Sequence, residues 1–184
     1  VGAAAPALAR PVARQAYRLT RPPLLRMAGA SAGERSTRAS FARSKSTNDE
    51  LVRAASTEEI LRIVGARGSS FSAINEATAL TRLARASRPA LGSRRTALAQ
   101  SSQVRALLGR VEQRLGLGQG GYAPRALANL AHAAAKLRLG SGACRAGGAP
   151  ELWPLLRARI VERADEFNSQ DLANIAWAFA TAGE

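Results

Sequence analysis

Most of the side chains in this sequence that can bind a ligand are arginines, and they are concentrated in the middle of the chain. Residues 82–145 contain twelve basic residues and one acidic residue, Glu112, which gives this block a net charge of +11. The whole chain has a formal net charge of +14, whereas residues 48–81 and 146–184 are mildly acidic, at −2 and −3. An uneven excess of this kind predicts a surface that faces a polyanion.

Several residues of the basic block combine charge or an amide group with a position on a predicted helix. Cations on one exposed face can bind phosphates, and polar groups beside them can contact bases. The predicted RNA contacts are Arg82, Arg105, Arg110, Arg114, Arg125, Asn129 and Lys136. The alternative for each cation is a solvated helix face, and the alternative for Asn129 is a hydrogen bond to a neighbouring turn.

The sequence offers no combination of residues that predicts catalysis, a metal site or a bound cofactor. The single cysteine, Cys144, has no partner for a disulfide and no base near it in the sequence. The single histidine, His132, has no second histidine with which to bind a metal. Gly116, Gly118 and Gly121 match the spacing of a dinucleotide-binding motif, but they follow a helical pattern instead of a strand and predict a flexible turn. We therefore expect a binding protein that is not an enzyme.

The predicted contacts are positioned by a pattern that occurs three times. When Phe71, Tyr122 and Phe167 are aligned as position 0, apolar residues recur at positions −11 and −7, and alanine recurs at +6 and +13. Position +5 is leucine in the later copies but Glu76 in the first, so the first copy is degenerate. Each copy reads as a helix, a short turn, an aromatic residue and a second helix. Because a lone helix pair cannot cover its own apolar face, the pattern predicts an all-α fold, an α-solenoid of stacked helix–turn–helix repeats.

The repeat pattern and the composition divide the chain into two regions. The repeat domain is predicted at 47–184, with copies at about 56–85, 103–137 and 150–184 and basic connectors at 86–102 and 138–149. Residues 1–46 are rich in Arg, Ala and Ser and poor in acidic residues, which predicts a disordered basic leader typical of an organellar transit peptide. The alternative is a disordered tail that binds RNA or membrane lipid directly. No apolar run is long enough to predict a membrane span.

The third copy carries a resemblance to a known family. Its segment Phe167-Asn-Ser-Gln-Asp-Leu-Ala-Asn-Ile-Ala-Trp-Ala-Phe-Ala resembles the signature of the octotricopeptide repeats, the helical-pair repeats of organellar RNA-binding proteins that are best represented in algae. The second copy resembles it through Pro124 and Leu127-Ala-Asn-Leu-Ala131, with His132 in the place of Trp177. We expect both of these position +10 side chains to pack between helices. The resemblance implies a chloroplast or mitochondrial protein that supports RNA maturation, stability or translation.

Three alternatives to this function remain open. The chain can be a structural helical-repeat subunit of an organellar ribosome or another large complex. It can also be a protein-binding solenoid whose arginines contact an acidic partner. In the third alternative it is part of a longer enzyme, because related repeat proteins can carry a carboxyl-terminal nuclease-like domain. Separately, the first residue, Val1, suggests that the sequence begins inside a longer reading frame.

Overall fold

The structure, a computed structural model, describes residues 32–87, 92–118, 121–139 and 149–184. These residues form helices and turns and contain no strand, which confirms the all-α prediction. The α-helices are α1 (Ala32–Arg53), α2 (Thr57–Arg67), α3 (Ala73–Ala86), α4 (Gly92–Gln100), α5 (Ser102–Gly116), α6 (Pro124–Leu137), α7 (Leu152–Glu162) and α8 (Ser169–Ala182). Single 3₁₀ turns, Gly68–Ser70 and Ala164–Glu166, follow α2 and α7.

The chain divides into two units, residues 1–36 and 37–184. The described part of the first unit consists of residues 32–36, which form the start of α1. Residues 1–31, and with them most of the predicted transit peptide, lie outside the described residues. All packing described below belongs to the second unit.

Helix α1 corrects the predicted end of the disordered leader, since residues 32–46 are helical. The segment contains no proline, and its carboxyl-terminal half has tertiary contacts that a free leader lacks. The Ser44 hydroxyl donates to Asn75 Oδ1 at 3.0 Å, and Asn75 Nδ2 donates to the Ser44 carbonyl at 2.9 Å. Leu51 is completely buried. The Ser44–Asn75 hydrogen bonds join the carboxyl-terminal half of α1 to α3.

Helix α4 lies within residues 86–102, where the sequence predicted only a connector. Its first half, Gly92-Ser-Arg-Arg95, is polar and gives no amphipathic signal. Leu98 and Ala99 nevertheless join the buried core, and α4 packs against α5. The connector is therefore partly a structural element of the unit.

Each predicted copy contains two of the helices, and corresponding helices of successive copies contact each other. The first helices of the pairs are α2, α5 and α7, and α5 packs against both α2 and α7. The second helices are α3, α6 and α8, and α6 packs against both α3 and α8. The aromatic residues at position 0 are all buried, as are the apolar residues at −11, namely Ile60, Val111 and Leu156.

Small residues allow this close contact between second helices. Five alanines of α6 are buried: Ala128, Ala131, Ala133, Ala134 and Ala135. Because an alanine side chain ends at Cβ, the backbones of α3 and α8 can approach α6 on both sides. Helix α6 is thus held by its neighbours, and its remaining face is left to solvent. None of the helices within the described ranges combines the length and the apolar character that a bilayer crossing requires.

Candidate nucleic-acid interface

The seven predicted RNA contacts lie on two different layers of helices. Arg82 belongs to α3, and Arg125, Asn129 and Lys136 belong to α6, so these four are on second helices. The other three predicted contacts are on α5, which is a first helix; they are Arg105, Arg110 and Arg114. The two groups have different surroundings.

The residues of α6 share one helix face because of their spacing. Arg125, Asn129, His132 and Lys136 occupy positions +3, +7, +10 and +14, and intervals of four and three residues keep side chains on the same side of an α-helix. The same positions are partly or fully exposed in α3 and α8 as well. We call these positions of the three helices the second-helix face. In α3 they are Ile74, Thr78, Thr81 and Arg85, and in α8 they are Gln170, Asn174, Trp177 and Thr181.

A cavity of about 370 Å³ brings three of the predicted contacts together. It is lined by Arg82, Arg125 and Asn129, and also by Arg85, which the sequence interpretation did not select. Ile74, which is 62% exposed, adds an apolar edge. The cavity lies between α3 and the start of α6, so it combines cations, an amide and an apolar surface in one place.

Carboxylates of α3, α6 and α8 do not neutralise the positive charge of the second-helix face. Within α3, α6 and α8 the only acidic residues are Glu76 and Asp171, and both are buried. Arg85 and Arg125 make no hydrogen bond or ion pair within the part of the chain that the structure describes, and both are exposed. Exposed cations in this arrangement can bind phosphates without first breaking an internal ion pair.

Arg82 is less available than its position suggested. Its Nη2 donates to the Ala54 carbonyl at 2.7 Å, and its Nε is buried with no hydrogen-bond partner among the described residues. The side chain therefore links α3 to the turn between α1 and α2. Its guanidinium still contributes positive charge to the cavity.

Lys136 continues the face towards α8. Its Nζ lies 5.8 Å from the ring centroid of Trp177, and that ring lies 4.9 Å from the ring of His132. The two position +10 side chains thus contact each other between α6 and α8. Beside them, Asn174 Oδ1 accepts a hydrogen bond from Gln170 Nε2 at 3.3 Å.

Arg114, in contrast, is part of a polar cluster in the interior. Its Nε and Nη2 donate to the two carboxylate oxygens of Glu76 at 2.8 and 3.2 Å, and Nη2 also lies 3.2 Å from the Phe71 carbonyl. The Tyr122 hydroxyl donates to Glu76 at 2.5 Å. The fully buried Glu76 occupies the leucine position, so the apparent degeneracy of the first copy is a buried ion pair with a hydrogen-bonded tyrosine.

The titration behaviour of this cluster agrees with a structural role. Burial, and then the hydrogen bond to Glu76, raise the pKa of Tyr122 above its usual range, so the phenol stays protonated and can donate. The hydrogen bond to Glu76 raises the pKa of Arg114. A guanidinium held in this way has little freedom to reach a phosphate.

Arginines of the third copy make a similar link to the second. Arg163 Nη1 donates to the Tyr122 carbonyl, as Arg114 donates to the Phe71 carbonyl one copy earlier. Arg159 Nε donates to the Leu115 carbonyl at 2.8 Å. We call Arg114, Arg159 and Arg163 the junction arginines, since each bonds to the backbone of the preceding copy.

The junction arginines line a cavity of about 590 Å³, but its cations are paired. Arg159 bonds to Glu162 at 2.5 Å, and Arg163 bonds to Glu166 at 2.7 Å. The Arg163 hydrogen bond lowers the pKa of Glu166. With carboxylates beside its arginines, this cavity is poorly suited to bind a polyanion.

The remaining predicted contacts on α5 differ from each other. Arg105 is exposed and makes no side-chain hydrogen bond with the described residues. Arg110 packs its guanidinium against Gly68 so closely that a Cβ atom at that glycine would lie 2.5 Å from Nη2. Two of its nitrogens are buried without a hydrogen-bond partner among the described residues.

The described residues contain no group of His, Cys, Asp and Glu side chains that could hold a metal ion. Cys144 lies outside them. Gly116 is the last residue of α5, and Gly118 has a φ of 78°, which glycine adopts readily, so the described part of the glycine motif follows a helix.

Comparisons with known proteins leave the family open. No protein-family model, no curated protein and no solved structure matches this chain. The resemblance to octotricopeptide repeats therefore stays a prediction.

Two residues of this surface were missed by reasoning from the sequence. Arg85 shares position +14 with Lys136, and this alignment could have identified it. Trp177 was assigned to packing, yet it is 45% exposed. The sequence carries no signal for that exposure, because it depends on what packs beside α8.

Proposed function

We propose that this chain is an RNA-binding helical-repeat protein whose helix pairs stack as an α-solenoid. The observation that carries the proposal is the second-helix face. Its exposed cations, Arg85 and Arg125, make no hydrogen bond or ion pair with the described residues, and its three helices carry no exposed carboxylate. Polyanion binding follows from that charge, and RNA is favoured by the amides that accompany it.

In the proposed complex, phosphates and bases are contacted by different residues. Arg85, Arg125 and Lys136 neutralise phosphates and set the position of the strand. Asn129 and Asn174, both at position +7, offer a donor and an acceptor to base edges. Because the face continues across three helices, it suits an extended single strand better than a compact ligand.

The proposed setting is a chloroplast or a mitochondrion, where the protein supports maturation, stability or translation of organellar transcripts. The resemblance of the third copy to octotricopeptide repeats and the transit-like composition of residues 1–46 support this setting. Within it, the protein binds RNA and leaves the chemistry to other proteins.

Titration of the full chain with a fluorescently labelled single-stranded RNA tests the proposal. Fluorescence anisotropy gives the dissociation constant at several salt concentrations. We expect log affinity to fall linearly with log salt, with a slope of about −0.7 for each phosphate contacted. Absence of binding, or binding that does not depend on salt, would contradict the proposal.

A second candidate function is binding of an acidic, partly apolar peptide. It is favoured by Val52 and Ile74, which are 50% and 62% exposed beside the arginines of the same cavity. Affinity capture of partners with the full chain separates the two functions. If the captured partner is RNA and nuclease treatment removes it, the RNA-binding function is supported. If a protein partner stays bound after nuclease treatment, the peptide-binding function is supported.

A further inference from the structure

We propose that Trp177 and His132 form a stacking site for one unpaired nucleobase, with Lys136 and Arg138 as the cations for the adjoining phosphate. This inference rests on the proposed RNA-binding function. It identifies a contact site for a base, which the charge pattern alone does not locate.

The exposure of Trp177 is the first observation. Of the two tryptophans, Trp153 is 1% exposed, its Nε1 donates to the Leu139 carbonyl at 2.8 Å, and its ring contacts Phe179. Trp177 is 45% exposed. A tryptophan ring left half in water, when the same fold buries another one completely, marks a surface that can gain from covering the ring.

The contacts of the ring restrict what can cover it. His132 supports the indole at 4.9 Å between ring centroids, with 57° between the ring planes. Lys136 Nζ approaches to 5.8 Å from the indole centroid. Both contacts hold the ring in place beside a positive charge, so a flat ring that carries an anionic group is the matching ligand.

A cavity of about 270 Å³ beside the indole has the same character. It is lined by Trp177, Lys136 and Arg138 together with the hydroxyl residues Ser87 and Thr181, and none of the described residues that line it is a carboxylate. Arg138 ends α6 with a φ of 56°, a conformation in which glycine is usual. An arginine therefore occupies a backbone position that glycine would adopt more easily, and it lines this cavity.

A nucleotide meets these requirements. Bases of single-stranded RNA stack on aromatic side chains whatever their sequence, whereas paired bases of a duplex are not accessible to such stacking. Helix α6 also connects the site to the phosphate contacts. Arg125 and Lys136 lie on one face of it, roughly 16 Å apart along the helix axis, so one strand can contact both.

Tryptophan fluorescence of the full chain is the test. In the Trp153→Phe variant the remaining signal comes from Trp177. The probes are single-stranded oligoadenylate, the same strand paired with its complement, and inorganic polyphosphate as a polyanion without bases. We expect oligoadenylate to quench the fluorescence, and we expect the duplex and polyphosphate to leave it unchanged.

Substitutions then connect the signal to affinity. Trp177→Ala is expected to weaken oligoadenylate binding about tenfold, while Trp177→Phe, which keeps an aromatic ring, retains most of the affinity. Polyphosphate binding should be equal in both variants. Thermal melting checks that the alanine variant is folded, and His132→Ala provides a second, smaller change at the same site.

The outcomes separate this inference from the proposed function. If the unsubstituted chain binds oligoadenylate, but Trp177→Ala binds it equally well and no quenching occurs, the stacking site is wrong and the RNA-binding function stands. If the unsubstituted chain binds no RNA, both are wrong. If sedimentation shows dimers that Trp177→Ala dissociates, the indole belongs to an interface between copies, and the stacking site is also overturned.

Discussion

The arginines of the two helix layers have different partners, although the sequence makes them look alike. On the first helices or directly after them, each junction arginine bonds to a backbone carbonyl of the preceding copy, and each also pairs with a carboxylate. On the second helices, Arg85 and Arg125 have no such partner among the described residues. The first group joins successive helix pairs, and the second group leaves its charge available at the surface.

This difference shows that a large positive charge does not by itself locate a binding surface. The +11 block contains Arg114 of the first group as well as Arg85 and Arg125 of the second, and three of the seven predicted RNA contacts lie on the first-helix side. Arg114 is the clearest case, since its charge is used internally by Glu76. Unfolding measurements without any ligand should distinguish the arginines of the two helix layers by their effect on stability.

Glu76→Ala should cause the largest loss of stability. The substitution removes the acceptor of two Arg114 bonds and of the Tyr122 hydroxyl. Loss of one partner of a buried pair costs about 3–5 kcal/mol. The lower value applies here because the Arg114 side chain is 33% exposed to solvent. Urea unfolding of the full chain measures the difference.

Glu162→Ala is the matched control for Glu76→Ala. It removes the same atoms from an exposed ion pair with Arg159, which keeps its bond to the Leu115 carbonyl. We expect a loss below about 1 kcal/mol. Equal losses in the two variants would show that the Glu76 cluster does not stabilise the contact between the first two copies.

Arg163→Ala should have an intermediate effect. It removes the charged donor to the Tyr122 carbonyl, which is worth about 1–2 kcal/mol after allowance for the exposure of the arginine. The pKa of Glu166 should also rise towards its ordinary value, because the Arg163 bond that lowers it is gone. Nuclear magnetic resonance titration of the carboxyl group and urea unfolding provide the two readouts.

Arg67→Ala is the matched control for Arg163→Ala. Arg67 pairs with Glu50 at the surface and, within the described ranges, bonds to no backbone carbonyl of another copy. Its loss should change the free energy of unfolding by less than about 1 kcal/mol. If Arg67→Ala destabilises the chain as much as Arg163→Ala does, the backbone bonds of the junction arginines contribute no more to stability than a surface ion pair does.

The double substitution Arg85→Ala and Arg125→Ala should have the smallest effect on stability. Both side chains are exposed and lack partners among the described residues, so the free energy of unfolding should stay within about 0.5 kcal/mol of the original value. A loss comparable to that of Arg163→Ala, measured in the same urea series, would mean that these arginines also hold the structure together.

The sequence predicted the helices well because their signal is local. Apolar residues at fixed spacing and alanine at +6 and +13 are visible in the chain, and so is Ser56, whose hydroxyl caps α2 by accepting from the Glu59 amide at 3.1 Å. Helix α4 was missed because its polar first half has no such pattern. The helical end of the leader was missed for a related reason, since its contacts with α3 involve residues about 30 positions away.

The division of the arginines could not be predicted from the sequence. Arg114 meets Glu76 across 38 residues, and only the packing of α5 against the first copy brings them together. In the sequence, Glu76 appears as a flaw in the repeat, and Arg114 appears as one more cation of the basic block. The exposed face of α6 was partly predictable, because Arg125, Asn129 and Lys136 follow helical spacing.

The most direct test of the second-helix face compares two double variants in RNA binding. One is Arg85→Ala with Arg125→Ala, and the other is Arg67→Ala with Arg157→Ala, which removes the same charge from exposed ion pairs elsewhere. The measurement is the salt dependence of affinity for one single-stranded RNA. The second-helix variant should lose about 1.4 from the slope of log affinity against log salt, and the control should keep the original slope. Equal slopes in the two variants would contradict the assignment of RNA binding to this face.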